Sequence, residues 1–179
     1  LLDGVWKDGW DDELGTVPPR TVTERAIAAH RRVAPERMIV HYMQPHQPFI
    51  GGDAPLGAES IDDDMESVWH SLRAGNVSEE RIRTAYERNL RHVLDDVGLL
   101  LKNVDAELAI ISSDHGNAMG EQGLYDHPAG IPHPVLRRVP WIETSAEDTG
   151  TLEVEAERID RTNDPAEDVE ERLKQLGYK

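Results

Sequence analysis

The sequence contains no cysteine, and lysine occurs only at Lys7, Lys102, Lys174 and Lys179. Without cysteine, the chain has no disulfides, no thiolate zinc site and no cysteine nucleophile within its 179 residues. Without a cluster of Lys and Arg, it offers no basic surface to a phosphate backbone, which argues against nucleic acid as a ligand. No run of about 18 apolar residues occurs, so we expect no membrane span.

Acidic residues dominate the charge, since 35 Asp and Glu face 19 Lys and Arg and give a formal net charge of -16 at pH 7. Self-repulsion on this scale destabilises a compact chain unless salt screens it. The simplest interpretation is a solvated acidic surface adapted to high salt, and a dedicated basic partner is the alternative. The length and the 38% hydrophobic content allow one compact domain.

The chain opens Leu1-Leu2-Asp3, with neither a methionine nor a charged-then-apolar leader. We expect a fragment or a processed chain, without a signal peptide in these residues and with a cytoplasmic location by default. The sequence carries no signal for the oligomeric state.

Turn formers and apolar periodicity predict an irregular lead-in over residues 1–20 and two long helices after it. The first helix starts at Thr21 and is ended by Pro35. The second is capped by Ser78, and its apolar face is predicted to carry Ile82, Tyr86, Leu90, Val93, Val97 and Leu100.

Two short apolar runs, Met38–Met43 and Leu108–Ile111, predict buried strands. Helices and strands in alternation predict an α/β fold with a mostly parallel sheet over residues 21–143. Residues 144–179 form an acidic tail, with a short amphipathic helix expected over Val169–Leu176.

Asp114-His115-Gly116 directly follows the second predicted strand, so both side chains can reach the carboxyl edge of the sheet. A hard divalent cation prefers the carboxylate, and an imidazole nitrogen can complete the same shell. An isolated Asp-His-Gly is more often a capped turn with an ordinary loop histidine. A metal site therefore needs support from neighbouring motifs.

Neighbouring motifs do occur. The run from Ile110 to Pro128 resembles the sulfatase signature of a hydrophobic strand, Asp-His-Gly, then Gly-Glu-His-Gly and a basic residue. Upstream, Pro45-His46-Gln47-Pro48 resembles the Pro-His-x-Pro loop of that family. Tyr86 to Leu101 is similar to the intervening helix, and Val169 to Tyr178 to the Leu-Gly-Tyr ending of many members. The chain thus resembles the C-terminal part of a sulfatase-like hydrolase of the alkaline phosphatase superfamily.

This resemblance implies an α/β/α sandwich with a mostly parallel sheet, and metal-dependent hydrolysis of sulfate or phosphate esters. It implies that Asp114 and His115 ligate one divalent cation, with Ca, Mg, Mn and Zn not distinguished. It further implies that His46 and His127 contact the oxygens of a small anionic ester, His127 standing where many sulfatases have lysine. Cationic donors suit that position, because negative charge builds on the transferring group.

Simpler interpretations stay open for each of these histidines. His46 could be a rigid loop residue, and His127 could form a surface pair with Asp126. His41 is expected in the core or behind the metal ligands. Glu121 is expected to stabilise its loop, and His133 has no assigned role.

The sequence departs from the family in lacking the N-terminal half that carries the nucleophile and the early carboxylate ligands. Thr16, in Thr-Val-Pro-Pro-Arg, fits the nucleophile pattern only superficially, because no strand ending in aspartate precedes it. Asn117 and Gln122 replace a common glutamate and the signature histidine. A phospho-group transferase of the same superfamily and a non-catalytic, degenerate module are the alternatives.

Overall fold

The computed structural model describes residues 2–52 and 68–154, which form a mixed α/β fold with small antiparallel sheets. The helices are α1 (Pro19–Val33), α2 (Val68–Arg73), α3 (Glu79–Leu100) and α4 (Pro134–Arg137). The strands are β1 (Ala106–Ser112), β2 (Ala118–Met119), β3 (Tyr125–Asp126) and β4 (Trp141–Ala146). Short 3-10 turns occupy Val5–Lys7 and Glu121–Gly123.

Both predicted long helices are confirmed. Helix α1 begins at Pro19, two residues before the predicted start, because proline is well suited to a first turn that needs no backbone N–H donor. It ends with Ala34 in the left-handed conformation, directly before Pro35. Helix α3 is capped as predicted, with the Ser78 side chain accepting a hydrogen bond from the Arg81 N–H at 3.3 Å.

Helices α1 and α3 pack on each other through an apolar cluster of Ala26, Ile27, Leu100 and Val104. At the other end of the contact, Arg20 Nε donates a 2.6 Å hydrogen bond to the buried carboxylate of Asp96. The lead-in is tied to the same layer, since Arg25 of α1 forms ion pairs with both Asp3 and Asp8.

The predicted strand over Met38–Met43 is not formed in the described structure. Met38, Val40 and Tyr42 are partly buried and pack against the α1–α3 cluster, while Ile39 is 96% exposed. Side chains therefore alternate between two faces as they do in a strand, but no sheet ladder involves these residues. Apolar alternation predicts an extended backbone and does not specify a pairing partner.

The second predicted strand is confirmed as β1, which pairs antiparallel with β4 through Ile111 opposite Ile142 and Ser112 opposite Trp141. Its burial was overestimated, because Leu108 is 61% exposed. The mostly parallel sheet is not shown, since both sheets in the described ranges, β1–β4 and β2–β3, are antiparallel.

A second apolar cluster lies next to the short β2–β3 hairpin. It consists of Phe49, Val68, Trp69, Leu72, Ile82 and Met119. The Phe49 ring makes edge-on contacts with Trp69 and Tyr86, both at 6.1 Å between ring centroids. Through Phe49, this cluster anchors the loop that follows His46 against both α2 and α3.

Among the described residues, no helix is both long and apolar enough to cross a membrane. The predicted terminal helix over Val169–Leu176 lies outside the described residues.

Candidate functional site

The Asp114-His115 turn leaves the end of β1 and is held by Gly116. The Gly116 N–H donates a 2.9 Å hydrogen bond to the Leu136 carbonyl. A Cβ atom at Gly116 would lie 2.0 Å from the Val135 carbonyl oxygen, so the backbone approach to α4 requires glycine. The close approach fixes the two residues that precede it.

Within the turn, the Asp114 carboxylate contacts the next residue, His115. Oδ1 accepts a 2.9 Å hydrogen bond from the His115 backbone N–H, and Oδ2 lies 3.7 Å from His115 Nε2. The Asp114 side chain is 53% exposed, so it stands at an open edge. One carboxylate oxygen and one imidazole nitrogen are thus presented side by side.

The His46 loop is held on helix α3. The buried Asn89 side chain donates to the His46 carbonyl at 3.1 Å and lies 3.4 Å from the Pro48 carbonyl, and its oxygen accepts from Ile50 N–H at 3.1 Å. A Cβ at Gly51 would lie 2.5 Å from the Arg88 carbonyl oxygen, so loop and helix backbones touch. The Gln44-Pro45 and Gln47-Pro48 peptide bonds are cis.

His127 follows the β2–β3 hairpin. The Glu121 carboxylate accepts a 2.7 Å hydrogen bond from the Met119 N–H, which confirms that Glu121 stabilises this loop. His127 Nδ1 lies 2.7 Å from Asp126 Oδ1 in an ion-pair contact and 3.3 Å from Asn117 Oδ1 in a hydrogen bond. The pair with Asp126 therefore exists, and the ring is also turned towards other histidines.

The rings of His46, His115 and His127 lie together, and we call them the histidine cluster. His115 and His127 are stacked, with ring centroids 4.4 Å apart and planes 19° apart. His46 meets His127 edge-on at 5.3 Å. The structure therefore brings the predicted site residues, from three separate parts of the sequence, to one place beside Asp114.

The protonation preferences within the histidine cluster differ. Burial lowers the pKa of His46, and the adjacent His127 lowers it further. The contact with Asp126 raises the pKa of His127. For Asp114, burial acts upward, but the pKa is lowered overall by the His115 ring and by the hydrogen bond from the His115 backbone. The arrangement favours a neutral His46, a cationic His127 and an anionic Asp114.

Two of the rings have a defined tautomer. Nδ1 of His46 lies 2.6 Å from the Gln47 carbonyl oxygen, and Nδ1 of His115 lies 2.9 Å from that of Gly116. A carbonyl oxygen only accepts hydrogen bonds, so Nδ1 carries the proton and Nε2 of each neutral ring keeps its lone pair. Such a nitrogen can bind a metal ion or accept a proton.

Across residues 2–52 and 68–154, no group of three or more His, Cys, Asp or Glu side chains is arranged to hold a metal ion. The Asp114–His115 pair supplies two ligand atoms 3.7 Å apart. Because metal–oxygen and metal–nitrogen bonds are about 2.0–2.2 Å long, one cation can contact both atoms. The pair fits part of a coordination shell.

Other sequence predictions have mixed outcomes. His41 is exposed, so a core position is wrong, and the other interpretation, a position behind the metal ligands, stays a prediction. Thr16 is buried at 4% exposure, and its hydroxyl lies 3.4 Å from Gln44 Nε2, an arrangement unsuited to a nucleophile. His133 caps α4 by accepting a hydrogen bond from the Val135 N–H.

Sequence reasoning missed Asn89 and Tyr86 as neighbours of the site. Burial, and then the charge of Asp114, raise the pKa of Tyr86. Asn89 is fully buried on the inward face of α3. A polar residue at an apolar position of the helical repeat was the signal that could have found it.

No protein-family model, curated protein or solved structure matches this chain.

Proposed function

We propose that the chain carries part of a metal-dependent site for hydrolysis of sulfate or phosphate esters, as in sulfatase-like enzymes of the alkaline phosphatase superfamily. The carrying observation is the convergence of His46, His115 and His127 beside Asp114. These residues come from the two motifs whose sequence resembles that family.

Asp114 and His115 would hold the cation, using Oδ2 and Nε2. A divalent ion bound there would supply Lewis-acid stabilisation of the charge that develops on the ester. The choice among Ca, Mg, Mn and Zn stays open, because carboxylate and imidazole ligands suit several of them. The remaining metal ligands and the nucleophile would come from the N-terminal half that members of this family carry.

The histidine cluster would bind the ester's oxygens. His127, with its raised pKa, would donate a charged hydrogen bond to an oxygen of the transferring group. Neutral His46 would accept a proton or a hydrogen bond through Nε2. Local positive charge is needed, because a protein of net charge -16 repels an anionic substrate unless the site reverses the local potential.

The proposal extends to the fold. The α1–α3 layer covers one face of the extended run 38–42, and β4 contributes Ala146 to the same contact. This contact supports a helical layer packed on a sheet, and we propose that the complete fold is an α/β/α sandwich with a mostly parallel sheet.

The test uses the protein expressed from its complete reading frame, assayed on aryl sulfate and aryl phosphate with added divalent metal. We expect Asp114→Ala to lower kcat/KM by about 100-fold or more, and His127→Gln to lower it comparably. Arg83→Gln, near the start of α3 in an exposed pair with Glu79, is the matched control and should leave turnover unchanged.

Equal turnover by wild type and Asp114→Ala would refute the proposal. Release of the group to an added alcohol in preference to water would assign the same site to a phospho-group transferase. Loss of turnover in the Arg83→Gln control as well would show that the assay reports general instability.

A further inference from the structure

The His46 loop lacks regular secondary structure, yet its imidazole must keep a fixed distance from two other rings. Residues 45–50 contain two prolines, Pro45 and Pro48, and form no strand or helix. The His46 N–H donates to the Met43 carbonyl at 2.9 Å, which fixes only the start of the loop. Another element has to hold the part that follows.

That element is the middle of α3. Asn89 has no exposed surface and uses both ends of its amide on the loop. Its nitrogen lies 3.1 Å from the His46 carbonyl and 3.4 Å from the Pro48 carbonyl, and its oxygen accepts from Ile50 N–H. Three backbone groups of one loop thus contact one side chain. Because the Asn89 amide is buried away from water, it needs such hydrogen-bond partners within the protein.

We infer that Asn89 is a positioning residue, which sets the location of the His46 ring in the histidine cluster by holding the His46–Ile50 backbone against α3. This role rests on the proposed function and deepens it. In that function the His46 ring contacts the substrate, whereas Asn89 contacts the loop that carries the ring. The close contact of Gly51 with the Arg88 carbonyl supports the same docking by a separate backbone approach.

Asn103 provides a matched comparison, because it is also fully buried and bonded through both ends of its amide. Its nitrogen donates to the Leu99 carbonyl and to Thr151 Oγ1, and its oxygen accepts from the Leu152 N–H. Asn103 holds the segment after β4, and none of these hydrogen bonds involves the His46 loop. Loss of either asparagine should cost stability, but only Asn89 should affect His46.

The experiment compares wild type, Asn89→Asp, Asn89→Ala and Asn103→Ala by imidazole NMR on the 179-residue chain. Asn89→Asp keeps the side-chain shape and the acceptor for Ile50, but replaces the donor to two carbonyls by an oxygen. We expect both Asn89 variants to lose the proton contact between the His46 and His127 rings. The contact between the His115 and His127 rings should persist in all variants.

Sulfate binding is measured on the same samples. We expect the apparent Kd for sulfate to rise about tenfold or more in the Asn89 variants, because small misplacements of a binding group are costly, and to stay within about twofold in Asn103→Ala. If wild type binds no sulfate, the proposed binding of the ester's oxygens by the histidine cluster fails, while the ring contacts still decide the role of Asn89.

Gly51→Ala covers the case in which the Asn89 variants do not fold, since its Cβ would push the loop away from Arg88 without altering Asn89. It should also separate the His46 and His127 rings. Retention of that contact in Asn89→Asp, or an equal loss in Asn103→Ala, would overturn the inference.

Discussion

At the residue scale, two glycines on very different backbones show which positions matter for the candidate site. Gly116 is packed against the carbonyl of Val135, whereas a Cβ on Gly98, within α3, would meet no atom within 4 Å. Glycine is required at the first position and costs helix stability at the second. The packing around Gly116 therefore requires glycine, whereas the surroundings of Gly98 leave room for a side chain.

Replacing Gly116 by alanine is therefore expected to destabilise the chain by about 1–3 kcal/mol, the usual cost of forcing an atom into a packed contact. Gly98→Ala is expected to stabilise it by about 0.5–1 kcal/mol, because alanine is the better helix former. Urea unfolding of both variants measures the two free energies. Similar effects of the two substitutions would show that the Gly116 contact with α4 is not tight.

At the element scale, α3 shows how far the sequence predicts the fold. The start of the helix and its buried Ile82, Val93 and Leu100 were predicted from apolar spacing. Leu90, predicted on the inward face, is 36% exposed, and its neighbour Asn89 is buried in its place. Apolar spacing predicted the wrong buried residue at this point. The inward face of α3 carries polar side chains that form hydrogen bonds to other parts of the chain.

Strand pairing was predicted less well than helices. Strand β1 was expected, but β4 was missed, since its Glu143 and its exposed side chains give no buried apolar run. The candidate site residues can be named from the sequence, because His46, Asp114, His115 and His127 lie in short motifs whose spacing is visible there. Their supports, such as Asn89, depend on contacts between distant segments.

A second element-scale contact joins the end of α1 to the segment after β4. Arg31 donates from Nε and Nη2 to the two oxygens of Asp148, both at 2.8 Å. These bonds, followed by the hydrogen bond from the Gly150 N–H, lower the pKa of Asp148 to about 2, from an ordinary value of 3.8. A carboxyl group with a lowered pKa stabilises the folded state above its unfolded pKa.

We therefore expect this contribution to be present at neutral pH and to be lost as the pH falls from about 4 to about 2. Arg31→Gln should lower the Tm at neutral pH, and the difference from wild type should shrink across that range. Arg83→Gln, which removes an exposed pair with Glu79, should change stability by no more than about 0.5 kcal/mol at any pH. A Tm difference for Arg31→Gln that is constant with pH would contradict this assignment.

At the scale of the whole molecule, the net charge of -16 implies repulsion between surface carboxylates. Screening shortens the reach of repulsion between surface carboxylates from about 10 Å at 0.1 M salt to about 3 Å at 1 M. The same repulsion would oppose binding of an anionic ester everywhere except near the histidine cluster and a bound cation.

We expect the Tm to rise when KCl is increased from about 0.1 M to about 1 M or more, because screening relieves self-repulsion in the compact state. Differential scanning calorimetry over a KCl series measures this dependence, with choline chloride as a second salt. A Tm that is flat or falls with salt would contradict the interpretation of a salt-adapted acidic surface.

The most direct measurement for the proposed site is imidazole NMR of the chain titrated with Mn²⁺ at about 1 M KCl, where nonspecific attraction of cations to the acidic surface is screened. If Asp114 and His115 share one cation, the His115 signals broaden first and those of His127 and His46 follow, while exposed His92 stays sharp. Asp114→Ala abolishes this pattern. Uniform broadening of all histidines, or a pattern unchanged by Asp114→Ala, would contradict a metal-dependent ester site at this position.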